Sequence, residues 1–359
     1  MSGKVRAHRG ELPQERPDAR AMERLARNPE CTRLRTVIAA GVKPATLAEE
    51  VLGISPAEGQ SPLALAAGQT FDRQLADNDY SAIFARFQEQ GLLGATECKV
   101  RVIPDEARGA EAQVRLTREL LRQRYEDPSA APNLLIKPRL EMPVAGFATR
   151  VEPDFAVAPD AQRAFDIGEV KSFSNYGPEI PGSKLTGTLR QAAVGVVFLR
   201  DELSRLAPEA EAEGLVADRV HVILKRPGSA QPTLTTMRIA GEIATVRAAM
   251  DSLAANIVDL DSLEGALDDP LTIEALPANY ESRCREHCAL APWCKAEALR
   301  DSNPALLGNP MRESLHPAGT ISRAVELSNG AEPRTPEERD LAAELFRMRT
   351  AYEEFRDSA

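Results

Sequence analysis

Asp154 follows Pro153, and after fourteen intervening residues stands Glu169-Val170-Lys171. Two carboxylates can hold Mg²⁺ or Mn²⁺, which lowers the pKa of a bound water and neutralises charge developing on a phosphate. If the second carboxylate sits on a strand, Glu169 and Lys171 share one face and Val170 turns to the other. The ammonium can then orient an attacking water or stabilise a charged transition state. Asp166 and Glu152 lie close enough in sequence to stand in as ligands, and a solvated Glu169–Lys171 pair on a sheet face is the plain structural alternative.

A second group of chemistry-bearing residues is Cys284-x3-Cys288-x5-Cys294. Three thiolates within eleven residues can converge on one metal centre if a fourth ligand arrives from elsewhere. Iron–sulfur, a four-cysteine zinc site and independent buried thiols are all compatible with this spacing. Cys98, in Glu97-Cys-Lys-Val-Arg-Val, reads as a buried strand residue and a reserve fourth ligand, and His287 inside the trio as a bystander.

The elements that must position these groups are legible in outline. Helical patterns run from Cys31 to Leu52, Pro62 to Leu75, Ile83 to Gln90 (ending at Gly91), Ala110 to Arg124, Leu185 to Arg205 and Ala240 to Val258. Extended runs cover Lys99 to Ile103, Leu134 to Glu141, Arg150 to Ala158, Ala164 to Ser172, Val220 to Leu224 and Leu234 to Ile239. A Gly/Pro-rich loop, Asn175 to Ser183, precedes the Leu185 helix, and Asn303 to Pro317 reads as a linker. Thr335 (N-cap), Pro336 and Glu338 open a terminal helix to Arg356. Helices mixed with short apolar strands predict an α/β/α sandwich with a central mixed sheet and added helices.

Composition narrows the class. With 43% hydrophobic and 27% charged residues, the 359-residue chain can bury a large core, and five cysteines without a secretory signal predict a cytoplasmic protein rather than a disulfide framework. No apolar run approaches the roughly 20 residues of a membrane span, which predicts no membrane partner. The net charge of −10 does not advertise nucleic-acid binding, but residues 1–35 carry nine Lys/Arg against five Asp/Glu, and a local basic track suffices for phosphate contacts. No Walker-type phosphate loop is present, so no motor is fused here.

Around Asp154, Glu169 and Lys171 the chain resembles the PD-(D/E)xK nuclease superfamily, in particular its RecB-like exonuclease branch. Gln191, in Leu189-Arg-Gln-Ala-Ala-Val-Gly-Val-Val-Phe, is similar to the branch's helical glutamine after the catalytic lysine. Ser61-Pro62 and Gly68-Gln-Thr-Phe-Asp72 resemble the helix offering a further metal ligand, with Asp72 where the family usually has His or Glu. Members that carry a four-iron four-sulfur (4Fe-4S) cluster use one cysteine before the nuclease core and three after it. Cys31 fits the early position, although the first gap of the trio has three residues where the family usually has two.

The resemblance, over roughly residues 30–295, implies a Mg²⁺- or Mn²⁺-dependent deoxyribonuclease with a structural cluster held by Cys31, Cys284, Cys288 and Cys294. Asp154, Glu169, Lys171 and Gln191 would be catalytic, and Asp72, Asp154 and Glu169 metal ligands. Single-stranded or end-bearing DNA would be the substrate, in DNA repair or antiviral defence. A non-catalytic DNA-binding scaffold keeping fold and cluster is the competing reading. The expected organisation is an N-terminal helical segment (1–60), a nuclease core (61–260), a cysteine segment (261–300) and a linker with a terminal helix (301–359). That helix would pack on its own core or dock a helicase or other subunit.

Overall fold

The computed structural model describes residues 8–56, 62–94, 97–159, 162–174, 182–208, 215–226, 229, 231–255 and 265–358. Ser61, most of the loop expected over Asn175–Ser183, the turn tips at 160–161 and 227–228, and the expected helix end beyond Ala255 lie outside them. The chain divides into two compact units: residues 1–29, 35–43 and 60–266, and residues 30–34, 44–59 and 267–359. The N-terminal sixty residues are therefore shared between both units rather than forming a segment of their own.

The first unit is an α/β sandwich built on a mixed six-stranded sheet in the order β1-β2-β5-β6-β7-β8. Its strands are β1 (Val100–Val102), β2 (Leu134–Ile136), β5 (Phe155–Val157), β6 (Asp166–Ser174), β7 (Arg219–Lys225) and β8 (Pro232–Arg238). β1–β2 and β6–β7 are parallel; the other pairs are antiparallel. β3 (Leu140–Val144) and β4 (Phe147–Val151) form a separate hairpin.

Two extended runs expected to be single strands are thus each divided. Leu134–Glu141 breaks at Lys137, which adopts φ +50° just before Pro138, a residue that cannot donate to a ladder. Arg150–Ala158 breaks at Glu152-Pro153-Asp154, with its first part in the hairpin and its second in the sheet.

Helices cover both faces of the sheet. Phe71 and Leu75 of the Pro62–Ala76 helix and Ile83, Phe84 and Phe87 of the Ser81–Glu89 helix pack with Phe155, Val157 and Ile223. On the opposite face lies the Gly182–Leu206 helix, backed by the Ala19–Arg27 and Ala240–Ala255 helices. It approaches closely because Gly195 has no side chain: a Cβ there would stand 3.1 Å from Pro153 and 3.2 Å from Ile167. Among the described residues, no helix is long and apolar enough to cross a membrane.

The second unit is helical. The helix expected over Cys31–Leu52 is broken at Gly41, which turns the chain at φ +72°, into Thr32–Ala39 and a further helical stretch over Pro44–Thr46 and Leu47–Val51, the latter a π-helix. The stretch Asn303–Pro317 is no open linker: it folds into short helices over Pro304–Leu307, Asn309–Ser314 and His316–Ala318. The terminal helix, Pro336–Ser358, starts as the sequence indicates, with Glu338 N–H donating to Thr335 Oγ1 at 3.1 Å. The Glu338 carboxylate turns instead to Arg323, whose Nε and Nη2 donate to it at 3.0 and 2.8 Å. Leu341 and Leu345 pack with Leu315, Ala324 and Leu327, so the helix begins on its own core.

Candidate functional site

In the first unit the ladder between β5 and β6 sets up an acidic site. Phe155 is paired with Gly168, whose missing side chain leaves room for the Phe155 ring. β5 starts at Phe155, so the next rung comes from a side chain: Val170 N–H donates to Asp154 Oδ2 at 2.7 Å. This draws Asp154 over β6 and into hydrogen-bond contact with Glu169. Val170 packs on the core with Phe71 and Ile223, while Glu169 and Lys171 turn to the other face, as the alternation predicts. There Lys171 Nζ donates to Glu169 Oε2 at 2.8 Å and to Gln191 Oε1, on the Gly182–Leu206 helix, at 3.3 Å.

Burial decides the electrostatics. Glu169 is 1% exposed, and desolvation followed by the charge of Asp154 pushes its carboxyl up to about 8, with Lys171 pulling it partly back. Burial works against the Lys171 ammonium, but Glu169 and Asp154 outweigh it and hold its pKa above the usual value. Asp72, at the exposed side, is raised by partial burial first and then by Asp154, while Lys137 and Lys171 lower it. The site is therefore graded, from a sealed Glu169 through half-buried Asp154 to exposed Asp72.

The sequence reading missed two cations. Lys137 donates its backbone N–H to Asp154 O at 3.0 Å, and its charge is felt by Asp72. Arg20, from the Ala19–Arg27 helix, acts electrostatically on Lys171. A strand-ending Lys-Pro pair was the available signal for Lys137; Arg20 had none. Asp166 and Glu152 do not join the site. Asp166 is buried at the far end of β6, accepting from Arg219 (2.7 Å) and contacting His221 Nε2 (3.3 Å), and Glu152 pairs with Arg139.

The second unit gathers the thiols. Cys31, Cys284, Cys288 and Cys294 are all buried, and the other three lie near enough to Cys288 to act on it electrostatically. Burial pushes the Cys288 thiol far up and that of Cys294 up to about 11, with Arg33 working against the latter shift. N–H donors are aimed at three sulfurs: Glu281 N at Cys284 (3.4 Å), Leu290 N at Cys288 and Arg33 Nη1 at Cys294 (3.2 Å). Cys98 is not in this group. It packs half-buried on the core of the first unit, where desolvation raises it to about 11.

Among the described residues, no group of three or more His, Cys, Asp or Glu stands ready-formed to hold a metal ion. The donor chemistry of each place nevertheless fits one class of ion. Carboxylate oxygens with an exposed side suit a hard cation such as Mg²⁺ or Mn²⁺, and four sealed sulfurs with N–H donors suit an iron–sulfur cluster or zinc.

No family model matches the chain, and no curated protein matches it. A solved structure of SSO0001 is 14% identical over 61% of this chain and 96% of that one, at a TM-score of 0.23. A likeness that low supports no statement about fold or activity.

Proposed function

We propose that the first unit is a PD-(D/E)xK-type deoxyribonuclease of the RecB-like kind, and that the second carries a 4Fe-4S cluster on Cys31, Cys284, Cys288 and Cys294. The observation that carries the nuclease reading is the contact of Asp154 with a sealed Glu169 that is itself tied to Lys171 and Gln191. Keeping a carboxyl buried beside a second carboxyl opposes folding, so a pure scaffold has no use for the arrangement.

Asp154, Glu169 and Asp72 would hold Mg²⁺ or Mn²⁺, which when bound activates water and offsets phosphate charge. Gln191 fixes the Lys171 ammonium, leaving it a donor for the attacking water or a non-bridging phosphate oxygen. To hold the cation, Glu169 would have to lose the proton that burial favours on it. Lys137 and Arg20 add positive charge where a polyanion would enter. The exposed side at Asp72 fits single-stranded or end-bearing DNA better than a small ester, and repair or antiviral defence is the setting this substrate suits.

The test is cleavage of end-labelled single-stranded DNA with Mg²⁺ or Mn²⁺ by the full chain. Cleavage that vanishes on chelation and in both Glu169→Ala and Lys171→Ala is expected. Metal-dependent DNA binding without cleavage would favour the scaffold reading instead.

A further inference from the structure

Arg33 is the largest fully buried polar side chain of the second unit, at 0% exposure, and its surroundings are unusually specific. Its Nη1 and Nη2 donate to Glu297 at 2.6 and 3.0 Å, a bidentate pair. Nε and Nη2 donate to Leu276 O at 3.1 and 2.9 Å, and Nη2 also reaches Glu274 O at 3.3 Å. The Arg33 backbone N–H donates to Pro277 O at 2.9 Å. The remaining donor direction, on Nη1, ends at Cys294 Sγ, 3.2 Å away.

A buried Arg–Glu pair does not by itself make a core more stable than apolar packing would. A neutral thiol is a weak acceptor, whereas a thiolate is charged and accepts N–H bonds well. Arg33 is also two residues from Cys31, the one cysteine remote in sequence from the other three. Fixing its backbone and side chain to residues 274–297 therefore fixes where Cys31 can be.

We propose that Arg33 is the positioning residue of the thiol centre, docking Cys31 against the Cys284–Cys294 segment and donating a charged hydrogen bond to the Cys294 sulfur. The inference rests on the cluster reading above. A positive donor at a ligating sulfur stabilises the more negative, reduced state, so Arg33 raises the midpoint potential of the bound cluster.

The experiment uses the full chain purified anaerobically, as wild type, Arg33→Lys and Arg33→Met. It measures iron and sulfide content, midpoint potential from visible absorption, and the rate of metal loss to a chelator. Arg33→Lys keeps its iron and titrates at a lower potential. Arg33→Met moves further, by on the order of tenfold in the oxidised-to-reduced ratio, about 59 mV for one electron, and sheds metal at least tenfold faster. If Arg33→Met does not fold, Arg33→Lys decides alone. Variants with wild-type potential and release rate overturn the role of Arg33 while leaving the cluster in place. A wild-type chain without metal overturns the cluster reading, and this inference with it. If the wild type holds zinc, the release rate decides: faster loss from the variants supports the docking role, and equal loss overturns it.

Discussion

The two sites differ in what surrounds their ligands. The four thiols are all buried, and three of them are faced by N–H donors, one from an arginine with no exposure at all. The carboxylates run from sealed to exposed within one cluster, and their cations, Lys171 and Lys137, are themselves part-exposed. Sealed ligand sets hold a metal as structure, and sets with an open side let it meet a substrate. On the proposed reading, the buried thiols would be the first kind and the carboxylates the second, and the contrast in burial is the observation behind that assignment.

The sharpest way to break this contrast is to disable each site and read the other. Glu169→Ala is expected to cost DNA cleavage on the order of 10³-fold with iron content unchanged. Cys288→Ala is expected to abolish metal retention by the second unit while Asp154, Glu169 and Lys171 remain together. Iron loss in Glu169→Ala would mean that the sites are not separable. Gly168→Ala should be next in size, destabilising the first unit by about 1–3 kcal/mol through collision with Phe155. Chemical denaturation followed alongside visible absorption would detect it.

A smaller effect concerns pH. Because the Glu169 carboxyl is raised to about 8, the folded chain keeps a proton that the unfolded chain loses near the ordinary Glu value. Its contribution to stability is complete below that value and is lost as pH rises through about 8. In chelator, Glu169→Gln should therefore flatten the fall of Tm between pH 5 and pH 8, about the two ends of that window. Added Mg²⁺ should raise wild-type Tm most at the alkaline end. An unchanged slope in the variant would deny Glu169 its buried proton. The smallest expected effect is Thr335→Ala, about 1 kcal/mol from loss of the N-cap, seen as earlier melting of the terminal helix in hydrogen exchange, with the acidic site untouched.

Much of this was readable from local pattern. Alternation put Glu169 and Lys171 on one face, and the long helix over 182–206 carried Gln191 back to them. The cysteine trio announced itself by spacing. What stayed hidden depends on distant partners. The place of Lys137 beside the acidic site depends on a backbone bond to Asp154, seventeen residues on, and Arg33 owes its role to residues some 240 to 260 positions away. No window of sequence contains both ends of such contacts. The units do change at residue 60, but residues 1–60 are not one segment for the same reason, since the helix Thr32–Ala39 is divided between the units at Leu34 and Arg35.

That interleaving has a consequence for synthesis. Arg33 and Cys31 leave the ribosome early, but Glu297 and Cys294 emerge more than two hundred and fifty residues later. At about 5–20 residues per second the delay is roughly 13–50 s. For that interval a guanidinium destined for complete burial, and the Cys31 thiol two residues from it, are without their partners in the 274–297 segment. Assembly of the thiol centre thus waits on synthesis of the segment from Cys284 to Glu297.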